Sequence, residues 1–389
     1  MDVTMSPGVY VNEVPSGNAP ITGVGTSTAA FIGVIPDGPS APAAAHVVLC
    51  TNFTDFKSVF GDFADPATNP WQSTLAHAVY GFFLNGGTRC YVTRVAPSAS
   101  GPAGLSAALA ALEPIDEIAI LAAPGLTDPT QYAAITTHCA VTTKNRFAIL
   151  DTPRDLASDD LSLLTATPIN NQTSLLPANT DYAALYFPWI QVFDQASKAS
   201  LFVPPSGHVA GIYARVDTTR GVHKAPANEV VFDAVDLRYK LSRSQQDGLN
   251  PQGVNCIRRV NGNIKVWGAR TAGGDTNEAS GGFKYLSNRR LFVFLRESID
   301  QGLQWAVFEP NNADLWAKIK RNVGVFLETV WRSGALFGAT PAEAFYVKCD
   351  TETNPPAVRD AGQVVTEIGV ALTKPAEFVV FHLTQKIST

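Results

Sequence analysis

Charge is scarce in this chain. Asp, Glu, Lys and Arg make up 16% of its 389 residues, against roughly 25% in a typical soluble domain. A surface so poor in charge is suited to being covered, which points to a subunit of an assembly. The net charge of −5 supplies no basic field and argues against nucleic-acid binding. Cysteine is sparse as well. Cys50, Cys90, Cys139, Cys256 and Cys349 are scattered, odd in number and without a Cys-x-x-Cys. This pattern fits reduced, mostly buried thiols made in a cytosol, and neither a disulfide framework nor a zinc site. No apolar run approaches the ~18 residues of a membrane span, so no direct membrane insertion is expected. No charged-then-apolar leader is present either, because the N-terminus turns at once into Ser6-Pro7-Gly8. A protein of this kind working outside a cell would leave it by lysis or another non-classical route. Chemical signatures are also missing. There is no Gly-x-x-x-x-Gly-Lys-Ser/Thr and no His-Glu-x-x-His, and none of the 6 histidines pairs with a carboxylate at ligand spacing. No cofactor and no metal are expected.

What the chain has is an unattached strand candidate at each end. The run 376–385 is apolar and β-prone on both faces from Phe378 to Leu383, interrupted only by His382, with Pro375 at its start. Such a run wants sheet partners on both edges and cover on both faces. At the other end, residues 8–14 carry Val9, Val11 and Val14 between Pro7 and Pro15. Two orphan strands either fold back into their own chain or are donated to neighbours.

Between them the pattern divides. Residues 1–22 read as an arm, since Pro7, Gly8, Pro15, Gly17 and Pro20 deny it a helix. Residues 23–96 hold strands at 29–35, 47–49 and 90–95, and a helix at 75–84 stopped by Asn85-Gly86-Gly87. Composition shifts at Pro97. From there to 270, apolar strands at 118–121, 147–150 and 183–187 alternate with helical stretches at 105–112, 130–143 and 159–164. That alternation predicts a parallel α/β sheet with right-handed crossovers. Residues 204–270 read as loop-rich, and 268–282 as an exposed glycine-rich loop and boundary. In the region 271–375, Arg290 to Glu297 reads as a strand or a strand–helix junction. A long helix follows from Asn311-Asn312 to Gly334, with Leu315, Trp316, Ile319, Val323, Phe326, Leu327, Val330 and Trp331 on one stripe. Lys318, Lys320, Arg321 and Arg332 fall off it. Strands are expected at 344–349 and 364–370, and the terminal strand occupies 376–389. No internal repeat is present.

Two polar constellations invite a catalytic reading. Gly207-His208-Val209-Ala210-Gly211 looks like part of the histidine box of subtilisin-type proteases, Gly25-Thr26-Ser27 like their serine box, and Asp151 ends a strand as their aspartate does. The boxes come in the wrong order, however, and Pro205 stands where the histidine base would be. Glycine-rich turns between strands are the simpler reading. Arg215, Asp217, Arg220, His223 and Lys224 form the second group. A hydrolase on the middle α/β domain could use Asp217 and His223, whereas structural ion pairing in a glycine loop needs no pocket and is favoured. For the basic face of the 311–334 helix, a solvated surface and an electrostatic docking site for an acidic partner are both open.

Several segments together resemble contractile tail sheath proteins. They include Ser27-Thr28-Ala29-Ala30-Phe31-Ile32-Gly33, Phe82-Phe83-Leu84-Asn85-Gly86-Gly87, Tyr186-Phe187-Pro188-Trp189 and Lys224-Ala225-Pro226-Ala227-Asn228. The likeness is strongest from Val266-Trp267-Gly268-Ala269-Arg270-Thr271 onward, through Asn288-Arg289-Arg290-Leu291, Val307-Phe308-Glu309-Pro310-Asn311 and Lys374-Pro375-Ala376-Glu377-Phe378. The resemblance implies a mixed α/β and α+β fold, with a subtilisin-like middle domain that is not a protease. It implies a subunit stacked as hexameric rings around an inner tube in a phage tail, an R-type bacteriocin or an extracellular injection system. Partners would be other copies, the inner tube, and baseplate and terminal cap proteins, with assembly in the cytoplasm. Strand exchange would use Val9, Val11 and Val14 at one end and Phe378, Val380, Phe381 and Leu383 at the other. Lys318, Lys320 and Arg321 are the expected inner-tube contact. Pro/Gly linkers at 15–25 and around Lys374-Pro375 are expected to act as flexible arm roots.

Overall fold

The computed structural model describes residues 20–36, 43–97, 102–169 and 172–378. Its centre is a nine-stranded sheet of order β2-β3-β1-β4-β5-β6-β11-β12-β9. The strands β1 (Ala29–Val34), β3 (Cys90–Val95), β4 (Ile120–Ala122), β5 (Phe147–Asp151), β6 (Ala183–Phe187) and β11 (Val254–Val260) run parallel. β2 (Val48–Cys50) is an antiparallel edge, and β12 (Asn263–Val266) and β9 (Glu229–Val230) continue antiparallel on the other side. The sheet runs unbroken across the composition shift at Pro97. A small antiparallel sheet of β7 (Ile190–Phe193), β8 (Ser200–Val203) and β10 (Asp236–Leu237) leans on it.

The parallel strands are apolar on both sides because helices cover both sides. In β1, Ala29 and Phe31 enter a core with α1 (Phe53–Phe60), α2 (Pro70–Leu84) and α5 (Ser206–Arg220). Ala30, Ile32 and Val34 alternate into a second core with α3 (Pro102–Leu112) and α4 (Pro129–Thr137). α4 runs on as a wide π-turn to Thr143, whereas 157–164 forms only short 3-10 turns where a helix was expected.

The largest departure from expectation is α5. The stretch containing Gly207 and Gly211 is a buried helix, not a set of turns. The two glycines lie one helical turn apart and let α5 lie directly on α2. A Cβ at Gly207 would sit 2.3 Å from the Ala78 carbonyl oxygen, and one at Gly211 2.4 Å from that of Phe82. Here glycine marks close backbone approach.

The C-terminal region is built on α8 (Leu286–Gly302) and α9 (Ala313–Arg332). Arg290 to Glu297, expected as a strand or a strand–helix junction, lies wholly inside α8. Its β-prone Leu-Phe-Val-Phe-Leu run is overridden because Leu291 and Leu295, one turn apart, pack with α9. α9 matches its predicted stripe, with Asn312 capping it by accepting from the Leu315 amide at 3.0 Å. A two-stranded antiparallel sheet, β13 (Phe345–Lys348) and β14 (Glu367–Val370), packs on this pair. The glycine-rich segment 268–282 is not an exposed loop, since Arg270, Thr271, Ala272 and Asn277 are buried. It contains the short helix α7 (Asp275–Ala279), α6 (Arg243–Leu249) precedes it in the chain, and α10 (Pro341–Ala344) and α11 (Pro356–Asp360) border the small sheet.

Candidate assembly joints at the two chain ends

The C-terminal segment leaves the small sheet by a short zipper. The Phe337 amide donates to the Ala371 carbonyl at 2.7 Å and that of Thr373 to Ala335 at 3.2 Å. The chain then crosses to the large sheet, where Glu377 is held by four hydrogen bonds. Arg270 donates Nε to Oε1 and Nη2 to Oε2, both at 2.9 Å; Asn250 Nδ2 donates to Oε1 at 2.7 Å and Tyr285 OH to Oε2 at 2.9 Å. Arg270 is itself fixed. Its amide donates to Asn255 Oδ1 at 2.7 Å, its carbonyl accepts from Asn255 Nδ2 at 2.8 Å, and Nη1 reaches Asp275 at 3.0 Å. Burial favours the neutral carboxyl, but the donors outweigh it and hold Glu377 below the usual carboxylate range. Burial and then the Glu377 carboxylate push the Tyr285 hydroxyl up to about 12. One residue beyond the clamp, Phe378 is 71% exposed.

The N-terminal segment is tied to α8. Ile21 packs where a side chain at Gly302 would stand, within 2.6 Å of its Cβ position. The Val24 amide donates to Ser298 Oγ at 3.1 Å, and the Thr26 carbonyl accepts from Arg290 Nη2 at 3.0 Å. Arg290 is buried and bidentate to Asp217, Nη1 to Oδ1 at 2.9 Å and Nη2 to Oδ2 at 2.5 Å, with the Tyr213 ring 4.6 Å from the guanidinium. Burial opposes that charge, and Asp217 overrides it, raising the Arg290 pKa. Of the expected linkers, residues 21–26 make these contacts with α8, residues 15–19 lie outside the described residues, and Lys374-Pro375 is followed two residues on by the Glu377 clamp.

The clamp residues Arg270, Arg290 and Glu377 sit in segments that carry the resemblance, but sequence reading assigned them no role. Nothing local marks them, since each partner lies far along the chain.

The other sequence candidates are placed as follows. Lys318, Lys320 and Arg321 are exposed on α9, opposite its apolar stripe. Val9, Val11, Val14, Val380, Phe381 and Leu383 lie outside the described residues. The polar group at 215–224 forms no single cluster, though Arg215 and Lys224 both reach Glu229, at 3.8 and 2.8 Å. Arg215 donates to the Asn85 and Val230 carbonyls at 3.0 and 2.9 Å, Asp217 belongs to Arg290, and Lys224 pairs with Glu229 at 2.8 Å. The pKa of His223 is lowered, by burial and by Arg220. Its ring stands against Gly221.

The protease-like boxes also come apart. Asp151 is buried and accepts from the Ser206 amide at 2.8 Å and the Ser206 hydroxyl at 2.6 Å. Burial pushes this carboxyl up to about 7 despite those bonds. Ser206 follows Pro205, so no imidazole stands between acid and hydroxyl. His208 is turned onto Gly81 of α2, neither ring nitrogen has a partner among the described residues, and burial drives its pKa down to about 3. Thr26 of the serine-like box spends its carbonyl on Arg290.

A family model described as the phage tail sheath protein central domain matches residues 98–272, and the phage tail sheath C-terminal domain matches residues 278–386. The tail sheath protein of Vibrio phage KVP40 is 27% identical over 221 residues, 55% of this chain and 31% of that protein. That of Burkholderia phage BcepMu is 26% identical over 224 residues, 56% of this chain and 44% of that protein. The match thus spans less than half the length of these relatives. Among solved structures, the sheath complex of the extracellular contractile injection system PVC in its contracted state superposes with a TM-score of 0.79 at 26% identity, covering 100% of this chain and 99% of that one. The contracted helical sheath of the anti-feeding prophage gives 0.77 at 28% identity, covering 99% and 100%. With the sheath domains matched in order and whole-length likeness to two sheaths, the chain belongs to the phage tail sheath family and is a structural protein of contractile tail-like particles.

Proposed function

We propose that this chain polymerises as stacked hexameric rings around an inner tube, and that the lattice contracts to drive the tube through a target envelope. The observation that carries the reading is the paired anchoring of the chain ends. Each end is clamped at its root by a buried arginine, Arg290 for the N-terminal segment and Arg270 for the C-terminal one. A rigid root makes an arm a transmitting tether. The small sheet β13–β14 offers somewhere for arms to go. Among the described residues each of its strands has one edge without a strand partner, and two strands alone are marginal. Residues 1–19 and 378–389 of neighbouring copies would extend it by β-augmentation, with Val9, Val11, Val14, Phe378, Val380, Phe381 and Leu383 as the buried side chains. Such contacts are heterologous and build open helical tubes.

In this reading the middle layer is a non-catalytic, subtilisin-like scaffold. Contraction is a rigid-body change between two packings, released from a metastable extended state by a baseplate signal. The exposed Lys318, Lys320 and Arg321 face the inner tube, and a cap protein ends the lattice. The subunit is made in the cytoplasm, and the finished particle can be released outside the cell. Deleting residues 1–15, or 378–389, should leave a folded monomer that forms no striated tubes in negative stain. Normal sheaths from either truncation would rule out the exchange.

A further inference from the structure

We infer that Cys50 and Cys90 form a latent cross-strand disulfide site that closes by thiol–disulfide exchange with a small-molecule disulfide such as oxidised glutathione. The two are register partners in the antiparallel pair of β2 and β3. Directly opposed residues project to the same face, and both side chains enter the same core cluster, fully buried. In either kind of antiparallel pair the Cα atoms lie ~4.5–5.5 Å apart, inside the window a disulfide spans. The Cβ atoms of opposed residues, ~4.5–5.5 Å apart, must close by about 0.7–1.7 Å to reach the ~3.8 Å typical of a disulfide. β2 can give that much. It is three residues long and forms the sheet edge; Leu49 is exposed, and so are Thr51 and Asn52 just beyond Cys50.

No other cysteine is so placed. Cys256 faces Phe187 in register, Cys139 lies in the core on the other side of the sheet, and Cys349 is in the C-terminal core. Within the closed fold both thiols are sheltered, and burial followed by its cysteine neighbour raises the Cys90 thiol well above its usual value. Reaction therefore waits on opening of the edge. One thiol, as its thiolate, then attacks a glutathione disulfide sulfur and expels one glutathione thiolate. The second protein thiol, losing its proton, attacks the mixed disulfide and expels the other. The two cysteines lose two electrons and two protons, and the oxidant leaves as two thiols. The bond would close a loop holding α1 and α2, and so tie the first core layer to the sheet edge.

The test uses the full chain incubated with a series of oxidised-to-reduced glutathione ratios. Two of the five thiols should disappear, peptide mapping should join Cys50 to Cys90, and the melting temperature should rise by several degrees and revert with dithiothreitol. Cys50→Ala and Cys90→Ala should each keep four thiols and show no shift. Retention of all five thiols while hydrogen exchange reports β2 opening would overturn the inference. So would a bond to any other cysteine, or glutathione adducts without the internal bond.

Discussion

Arg270 grips Glu377 with two parallel hydrogen bonds of 2.9 Å although 107 residues of chain separate them. Charge-assisted fork contacts are stronger than neutral ones, and Arg270 is only 4% exposed. Glu377→Gln keeps the shape and removes the charge. We expect a loss of about 1–3 kcal/mol, a monomer that still folds, and faster proteolysis at the C-terminal tail. An unchanged cleavage rate would show that the clamp does not hold the tail.

The Arg290–Asp217 pair is more deeply buried. Replacing Arg290 with Met strands Asp217 in the interior, at about 3–5 kcal/mol for a broken buried pair. The double variant Arg290→Met with Asp217→Leu should recover most of that loss. Urea midpoints of the single and double variants measure it, and equal losses in both would place the cost in the Thr26 contact instead.

His208 and Asp151 contribute to the acid response with opposite signs. The pKa of His208 falls from 6.5 to about 3 on folding, so its contribution is present above pH 6.5 and drains away as pH falls toward 3. That of Asp151 rises from 3.8 to about 7, so its contribution is full below pH 3.8 and is lost as pH climbs through 7. Between those limits the slopes oppose, each at most about 1.4 kcal/mol per pH unit. Because burial also lowers His138, to about 4, the comparison is with the parent: as pH drops from 7 to 4, His208→Leu should lose less stability than the parent and Asp151→Asn should lose more. Thermal melts across that range give the slopes directly.

Charge reversal of Lys318, Lys320 and Arg321 to Glu touches only exposed positions. The monomer should hold its stability to within about 0.5 kcal/mol, while extended particles shed their tubes more readily, the more so in low salt. Extended particles that assemble and fire normally would exclude this face as the tube contact.

Much of the framework is legible from sequence because it rests on short-range rules. Alternating apolar strands mark β1, β4, β5 and β6, and the spacing of three and four from Leu315 to Val330 marks α9. The long-range features are not legible. Gly207 and Gly211 signal turns until the Ala78 and Phe82 carbonyls are seen against them. The Leu291–Leu295 run has β-branched and aromatic neighbours and reads as a strand until α9 supplies a helix-sized groove. The clamps combine residues far apart along the chain, a relation no local period encodes. Of the residues expected to exchange between subunits, Phe378 alone falls among the described residues, where it is exposed beyond the Glu377 clamp.

Arg270 and Arg290 bracket one short segment of chain, and between them they hold both chain ends. Both clamps thus lie in one stretch, residues 270–290, which Asn255 ties to β11 and Asp217 ties to α5, so a pull on either segment is shared with the body of the subunit. The two terminal segments share one strap of chain whose two buckles are guanidinium groups.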